Sequence, residues 1–386
     1  MGIGRTRTAV ALGGLTLATF TFITAETLPI GLLPLIARGL DVPVAAVGLL
    51  VGGYALVVVL ATIPLTRLVQ RVPRRLLMGI VLAVLVLGTA MSALASGYGL
   101  LLAARVLTAL AHSVFWAIVV PIAAVLVDPA VRGRAVSTVY AGGSVATVLG
   151  VPFATWLGQA VDWRAAFAGT SALGAVALAL VTIALPSSRG ARTEPVGGSA
   201  PDRRRYLLLV AVTALTSTGA LAAFTYISPF LTDVSGVPEV AVGGVLLARG
   251  LAGLVAVLAA GRMVDRFPRA VLPAALGMHL AGLLLQAAGG AVPAVSIVGS
   301  VLTGAGFAAF SAAVGAQVLA VAPGSVDVAT AGTSTAFNVG ISSGAVVGGA
   351  ALPLVGLAGV PAVALAFAAA GFALALGEQR VARIRR

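Results

Sequence analysis

The sequence predicts an all-α polytopic membrane protein, with twelve transmembrane helices in two parallel six-helix repeats. Three observations predict it. The chain of 386 residues is 60% hydrophobic and only 9% charged, with a mean hydropathy of +1.12, more apolar surface than a soluble domain of this size can hide. Its apolar residues fall into runs of membrane-spanning length separated by short polar breaks. The second half of the chain repeats the first.

The spans follow in order at 8 to 36, 45 to 66, 76 to 95, 99 to 120, 134 to 157, 166 to 185, 206 to 231, 240 to 261, 270 to 289, 293 to 320, 328 to 354 and 358 to 377. The first run is too long for a signal-peptide core and lacks a cleavage site before the polar break, so it reads as a permanent span. The least hydrophobic stretch between spans, 186–205, is rich in Pro, Gly, Ser and Arg and reads as a disordered cytoplasmic linker. It divides an N-terminal six-helix half, 1–185, from a C-terminal half, 206–386, that ends in a short basic tail.

Arginine supplies all 24 basic residues and the net charge is +13. In a soluble protein that charge would suggest nucleic acid. Here the arginines cluster in alternate short breaks, and placing both termini in the cytoplasm puts 20 of the 24 inside. Orientation therefore explains the charge and no nucleic-acid partner is expected. The absence of cysteine excludes a disulfide framework, a thiolate metal site and a cysteine nucleophile.

Shifting the chain by 195 residues without a gap pairs Pro34 with Pro229, Pro43 with Pro238, Gly48 with Gly243, and Arg67, Arg71, Pro73 and Arg74 with Arg262, Arg266, Pro268 and Arg269. From 34 to 74 there are 13 identities in 41 positions, several of them in polar loops where apolar bias cannot create them. Six is even, so the halves share one orientation, as in parallel repeats whose binding site lies near the midplane between halves.

Polar groups inside spans are the candidates for chemistry. Glu26 is the only acid within a long apolar run, and an intramembrane carboxylate is expensive unless it binds protons or substrate. Arg105 and His112, seven residues apart, share one face of the fourth span, and Glu26 falls at a depth between them. Arg249 sits mid-span in the eighth helix with Tyr54 as its repeat partner, and no acid in its half occupies a span, so it is expected to face a cavity. Asn338 could bind substrate or bridge helices. His279 reads as a packing residue and Gln317 as an interface residue. Gly142, Ala146 and Gly150, followed by Pro152, form a small-residue stripe that lets helices approach closely. Gly340-Ile-Ser342-Ser-Gly344 matches a nucleophile-elbow string, but without a strand it reads as a second such stripe. Neither a Walker sequence nor a zinc-binding His-Glu-x-x-His is present.

These residues resemble the major facilitator superfamily over essentially the whole chain. Gly261-x-x-x-Asp265-Arg266-x-Pro268-Arg269 looks like its signature loop, whose first copy departs by Thr66 and Gln70 but keeps Arg71 and Arg74. Thr24-Ala-Glu26-Thr-Leu-Pro29-Ile-Gly31, Arg105 through Trp116, Gly150-Val-Pro152, Asp162-Trp163-Arg164, Phe224-Thr-Tyr226-Ile-Ser-Pro229 and Phe337-Asn338-Val-Gly340 are similar to the sugar efflux and drug:proton antiporter branch. The resemblance implies a central cavity that receives Glu26, Arg105, His112, Trp116, Tyr226 and Asn338. Arg249 joins them on the strength of its lone mid-span charge, for which the family pattern supplies no reason. Glu26 with Arg105 or His112 is then the proton-coupling group. Arg71, Arg74, Asp265, Arg266 and Arg269 become gating-loop residues, and Gly142, Gly150 and Pro152 become packing residues between the halves.

The function expected is proton-coupled efflux of a small sugar-like or drug-like solute across the bacterial cytoplasmic membrane. The halves would rock about the central site of a monomer, with no cofactor beyond the proton gradient. An importer on the same scaffold is the alternative. An intramembrane hydrolase using Ser342 with His279 or His112 is a remote one, because no acid, oxyanion site or elbow converges on the serine.

Overall fold

The computed structural model describes residues 5–186 and 198–384. Most of the expected linker and the end of the basic tail lie outside these residues. Helices follow one another as α1 (Arg5–Gly39), α2 (Val44–Val69), α3 (Arg74–Ala93), α4 (Tyr98–Val125), α5 (Arg132–Val145), α6 (Val151–Ala160), α7 (Trp163–Ala184), α8 (Arg203–Thr225), α9 (Ile227–Pro229), α10 (Glu239–Arg266), α11 (Val271–Gly289), α12 (Pro293–Val321) and α13 (Val326–Ile384). Among the described residues ten helices are long and apolar enough to cross a membrane. One of these, Val326–Glu378, has 53 residues, so at about 1.5 Å per residue it far exceeds the roughly 30 Å of a bilayer core. It breaks at Gly356, whose φ of 66° and ψ of 176° only glycine adopts without strain.

Proline shapes the irregular spans. α5 passes into α6 through one π turn, Ala146–Gly150, just before Pro152, which has no N–H to offer the turn behind it. A second π turn, Phe230–Val234, follows Pro229 at the end of α9. α8 starts at Arg203 rather than at the expected 206, because Asp202 caps it by accepting a hydrogen bond from the Arg205 N–H. Nor is the linker unstructured up to that cap. Gly198, Ala200 and Asp202 donate backbone hydrogen bonds to Ala322, Ala320 and Val321.

The chain divides into two compact units, Met1–Pro129 with Thr138–Val196, and Ala130–Ser137 with Gly197–Arg386. In the first, α1 packs on α2, α6 and α7, α3 lies between α4 and α7, and α2 lies on α4. In the second, α8 runs along α13, and α12 is flanked by α10 and α11. The 195-residue shift carries the start of α4, Tyr98, onto the start of α12, Pro293, and the start of α2, Val44, onto that of α10, Glu239. It also maps one core on the other. Leu32, Leu35, Ile36, Val42, Val47 and Leu50 of the first unit correspond to Ile227, Phe230, Leu231, Val237, Val242 and Val245, which cluster in the second.

Large apolar side chains such as Leu60, Leu354 and Val346 stay exposed, as lipid-facing positions must in a protein whose outer surface is not in water.

Candidate functional site

α1 runs unbroken through Pro29, and that proline determines what lies opposite. The carbonyl of Ala25, four residues earlier, has no N–H to accept from, and in a bilayer an unsatisfied carbonyl is costly. Arg105 of α4 supplies the donor. Its Nη1 donates to the Ala25 carbonyl at 2.5 Å and its Nη2 to the Glu26 carbonyl at 2.9 Å. The guanidinium lies over the ring of Tyr54 from α2, 4.3 Å from the centroid. Arg105 is 2% exposed, so its charge is held inside the bundle by backbone dipoles and a ring face.

Two partners were expected as alternatives for Glu26, Arg105 or His112, and the structure uses them differently. Among the described residues Arg105 hydrogen-bonds the backbone at Glu26, not its carboxylate. The carboxylate instead approaches His112, with Oε2 4.0 Å from Nδ1. That separation suits an ion pair but exceeds a hydrogen bond, and Nδ1 of the buried His112 has no hydrogen-bond partner. The Glu26 side chain is about 25% exposed, while the imidazole behind it is buried.

Aromatic rings enclose the pair. His112 meets Phe22 and Tyr54 edge to face at 5.6 and 5.5 Å, Phe22 stacks on Phe115 at 4.3 Å, and Trp116 stacks on Tyr140 at 5.7 Å. The hydroxyl of Tyr54 and Nε of Arg105 are buried without partners. Such a site can hold a proton on the carboxylate, or between it and the imidazole, against flat apolar walls.

α5 and α6 close this site from α1's other side. A Cβ on Gly142 would meet the carbonyl of Thr16, and one on Gly150 would meet Thr24 and Phe20, all within the first unit. The stripe packs on α1, where Thr16, Phe20 and Thr24 come so close that Gly142 and Gly150 have no room for a Cβ. Pro152 is exposed beside it.

The second unit holds a polar ladder on α12. Ser296, Ser300 and Thr303 are buried on one face. Arg249 Nη1 donates to the Ser300 carbonyl at 3.2 Å and to Thr303 Oγ1 at 2.5 Å. Gln286 Nε2 donates to Ser300 Oγ at 3.0 Å, His279 Nδ1 lies 3.1 Å from the Thr303 carbonyl, and Ser235 Oγ donates to Ser296 Oγ at 2.8 Å. His279 is thus tied to packing in the helix bundle.

Asn338 donates to its own helix at Ser334, and the Tyr226 hydroxyl reaches the Ala345 carbonyl at 3.4 Å beneath Gly348 and Gly349. Gly340 and Gly344 face α8 from within a helix, the context of a packing stripe. Gln317 donates to the Pro268 carbonyl.

Of the loop residues, Asp265 accepts hydrogen bonds from the backbone N–H groups of Gly133 at 2.6 Å and Arg134 at 3.1 Å, capping the first turn of α5. Arg71 and Arg269 are exposed, Arg74 is partly buried, and Arg266 leans over Phe267.

Sequence reasoning missed one buried ion pair, Arg205 Nε to Glu378 Oε1 at 2.5 Å, which ties α8 to the end of α13. Glu378 lies one residue beyond the last apolar run and read as a polar break. The basic cluster 203–205 opposite a lone acid at the same depth was the available signal.

The Major Facilitator Superfamily profile matches residues 15–253, more than half of the chain. The chain belongs to the major facilitator superfamily. As a member it is 40% identical over 287 residues to a chloramphenicol efflux pump of Mycobacterium tuberculosis, covering 73% of this chain and 69% of that protein. It is 32% identical over 335 residues to a probable sugar efflux transporter of Helicobacter acinonychis, covering 85% of each. Among solved structures, FucP in its outward conformation superposes with a TM-score of 0.78 over 96% of this chain and 99% of that one, at 14% identity, a likeness of fold. This superfamily member is a multi-pass membrane transporter.

Proposed function

We propose that the protein exports a small organic solute, drug-like or sugar-like, across the bacterial cytoplasmic membrane in exchange for protons. It crosses twelve times: α13 counts as two crossings, α2 as one, and both termini lie in the cytoplasm. A cytoplasmic linker that ends before α8 at Arg203 joins its halves, and it works as a monomer with no cofactor.

One observation carries this reading. Glu26 presents a quarter-exposed carboxylate 4.0 Å from the buried His112, inside a span where a carboxylate is expensive unless it binds a proton or substrate. The names of its relatives, a chloramphenicol efflux pump and a sugar efflux transporter, point to outward transport of small solutes. Glu26 accepts a proton from outside as solute leaves, and releases it inward so that solute can load. One charge crossing the membrane potential yields about 2.3 kcal/mol per 100 mV, roughly a fiftyfold solute gradient. A neutral solute needs no larger driving force.

The test is uptake of labelled chloramphenicol and of a sugar panel into inside-out vesicles under an imposed proton gradient. Wild type should accumulate at least one solute, an uncoupler should abolish it, and Glu26→Gln should lose accumulation while retaining solute exchange. Full gradient-driven accumulation by Glu26→Gln would overturn the carrier assignment. Accumulation only in right-side-out vesicles would make the protein an importer.

A further inference from the structure

The 195-residue shift that superposes the helices also pairs Arg105 with Ser300, and Tyr54 with Arg249. In the first unit the guanidinium comes from the fourth helix and lies over Tyr54 of the second. In the second unit it comes from the helix equivalent to the second, and its Nη1 reaches the carbonyl of Ser300 and the hydroxyl of Thr303 on the helix equivalent to the fourth. Each unit thus places one arginine at the same helix junction, delivered from opposite sides. What the two arginines have to do there differs. Pro29, whose missing N–H consumes the fork of Arg105, corresponds to Phe224, so the first helix of the second unit has no carbonyl freed at that height. Phe224 offers a ring instead, 4.5 Å from the guanidinium carbon of Arg249. Glu26 corresponds to Leu221, so no carboxylate competes for this charge either.

Among the described residues nothing hydrogen-bonds Nε or Nη2 of Arg249, and neither atom is sealed in the packed interior. The side chain is held from one edge and one face, with its second edge unspent. Arg249 lies ten residues into α10, about 15 Å along the helix, too deep for a lipid headgroup to reach.

We infer that Arg249, oriented by Thr303 and Phe224, is a recognition subsite for a small organic solute that presents an anionic or electron-rich oxygen, such as a carboxylate, nitro or carbonyl group. A planar fork with two adjacent donors matches two acceptor oxygens, or one oxygen with two lone pairs. The inference rests on the transport reading only in taking the ligand to be a transported solute. It assigns the choice of solute to the second unit and leaves the proton to the first.

The experiment measures binding to the purified full-length chain in detergent for three probes: benzoate and chloramphenicol, which carry acceptor oxygens, and tetraphenylphosphonium, which has none. Arg249→Gln should weaken benzoate or chloramphenicol at least tenfold and leave tetraphenylphosphonium within twofold. Arg249→Lys, which keeps the charge without the fork, should fall between. Where Arg249→Gln does not survive purification, a Lys variant that melts like wild type and binds benzoate at least threefold more weakly supports the subsite. Unchanged benzoate and chloramphenicol affinity in the variants, or wild type that binds neither, overturns it. Benzoate binding without chloramphenicol binding keeps the subsite and removes the chloramphenicol-like solute from the proposed function. Glu26→Gln that loses proton-driven uptake yet keeps Arg249-dependent binding separates the two roles.

Discussion

Arg105 shows how one backbone defect organises a site. Pro29 removes the donor for the Ala25 carbonyl, and Arg105 replaces it while stacking on Tyr54. Lysine at 105 keeps the charge but loses the planar fork, so Arg105→Lys should cost about 2 kcal/mol of stability in a detergent melt. Alanine at 29 restores an N–H to the helix, so the same substitution in a Pro29→Ala background should cost less, by a coupling of at least about 1 kcal/mol. Additive losses would show that Arg105 serves some other partner. This contact was half legible in the sequence. Spacing put Arg105 and His112 on one face at the height of Glu26, but residue counting cannot tell a carboxylate from the backbone that bears it. The guanidinium went to the carbonyls, which cannot move, and the carboxylate was left to the histidine.

Most span ends were legible to within a few residues, because a span must satisfy its own backbone and stay apolar for about twenty residues. The count differs: ten separate helices of spanning length stand among the described residues where the sequence has twelve apolar runs. Their irregularities follow from single residues. Gly356 breaks α13 at a conformation that a Cβ makes strained, so Gly356→Ala should destabilise by about 1–3 kcal/mol and slow or abolish transport by straightening the break. Gly142 meets the carbonyl of Thr16, which cannot yield as a side chain could, so Gly142→Ala should cost about 1–3 kcal/mol, read as a lower melting temperature. Gly277, with open space around it, is the control and should tolerate alanine. The stripe was visible as a spacing. Its partner was not, since four-residue spacing marks a face that can be approached closely and says nothing of which helix approaches.

At the scale of the molecule, the buried pair of Arg205 and Glu378 joins the first and last helices of the second unit. Removing one partner leaves a charge unpaired against the core, so Glu378→Gln should destabilise more than the double variant with Arg205→Gln, and a double-mutant cycle should give a coupling above about 1 kcal/mol. The chain contains no cysteine, so single cysteines placed at 195 and 386 can be labelled without background. An impermeant maleimide should reach both only from the cytoplasmic side, and labelling from outside in intact cells would reverse the proposed topology. The sequence by itself determined the class, the 195-residue repeat and the short roster of polar residues inside apolar runs, because lipid penalises unsatisfied or charged groups so heavily that the few exceptions stand out. Only the tertiary structure decided how those residues are used. It set Arg105 on the backbone of α1, left Glu26 to His112, and brought Arg249 against Thr303 and Phe224. Those outcomes depend on which helix face meets which and at what distance, and apolar pattern alone carries neither.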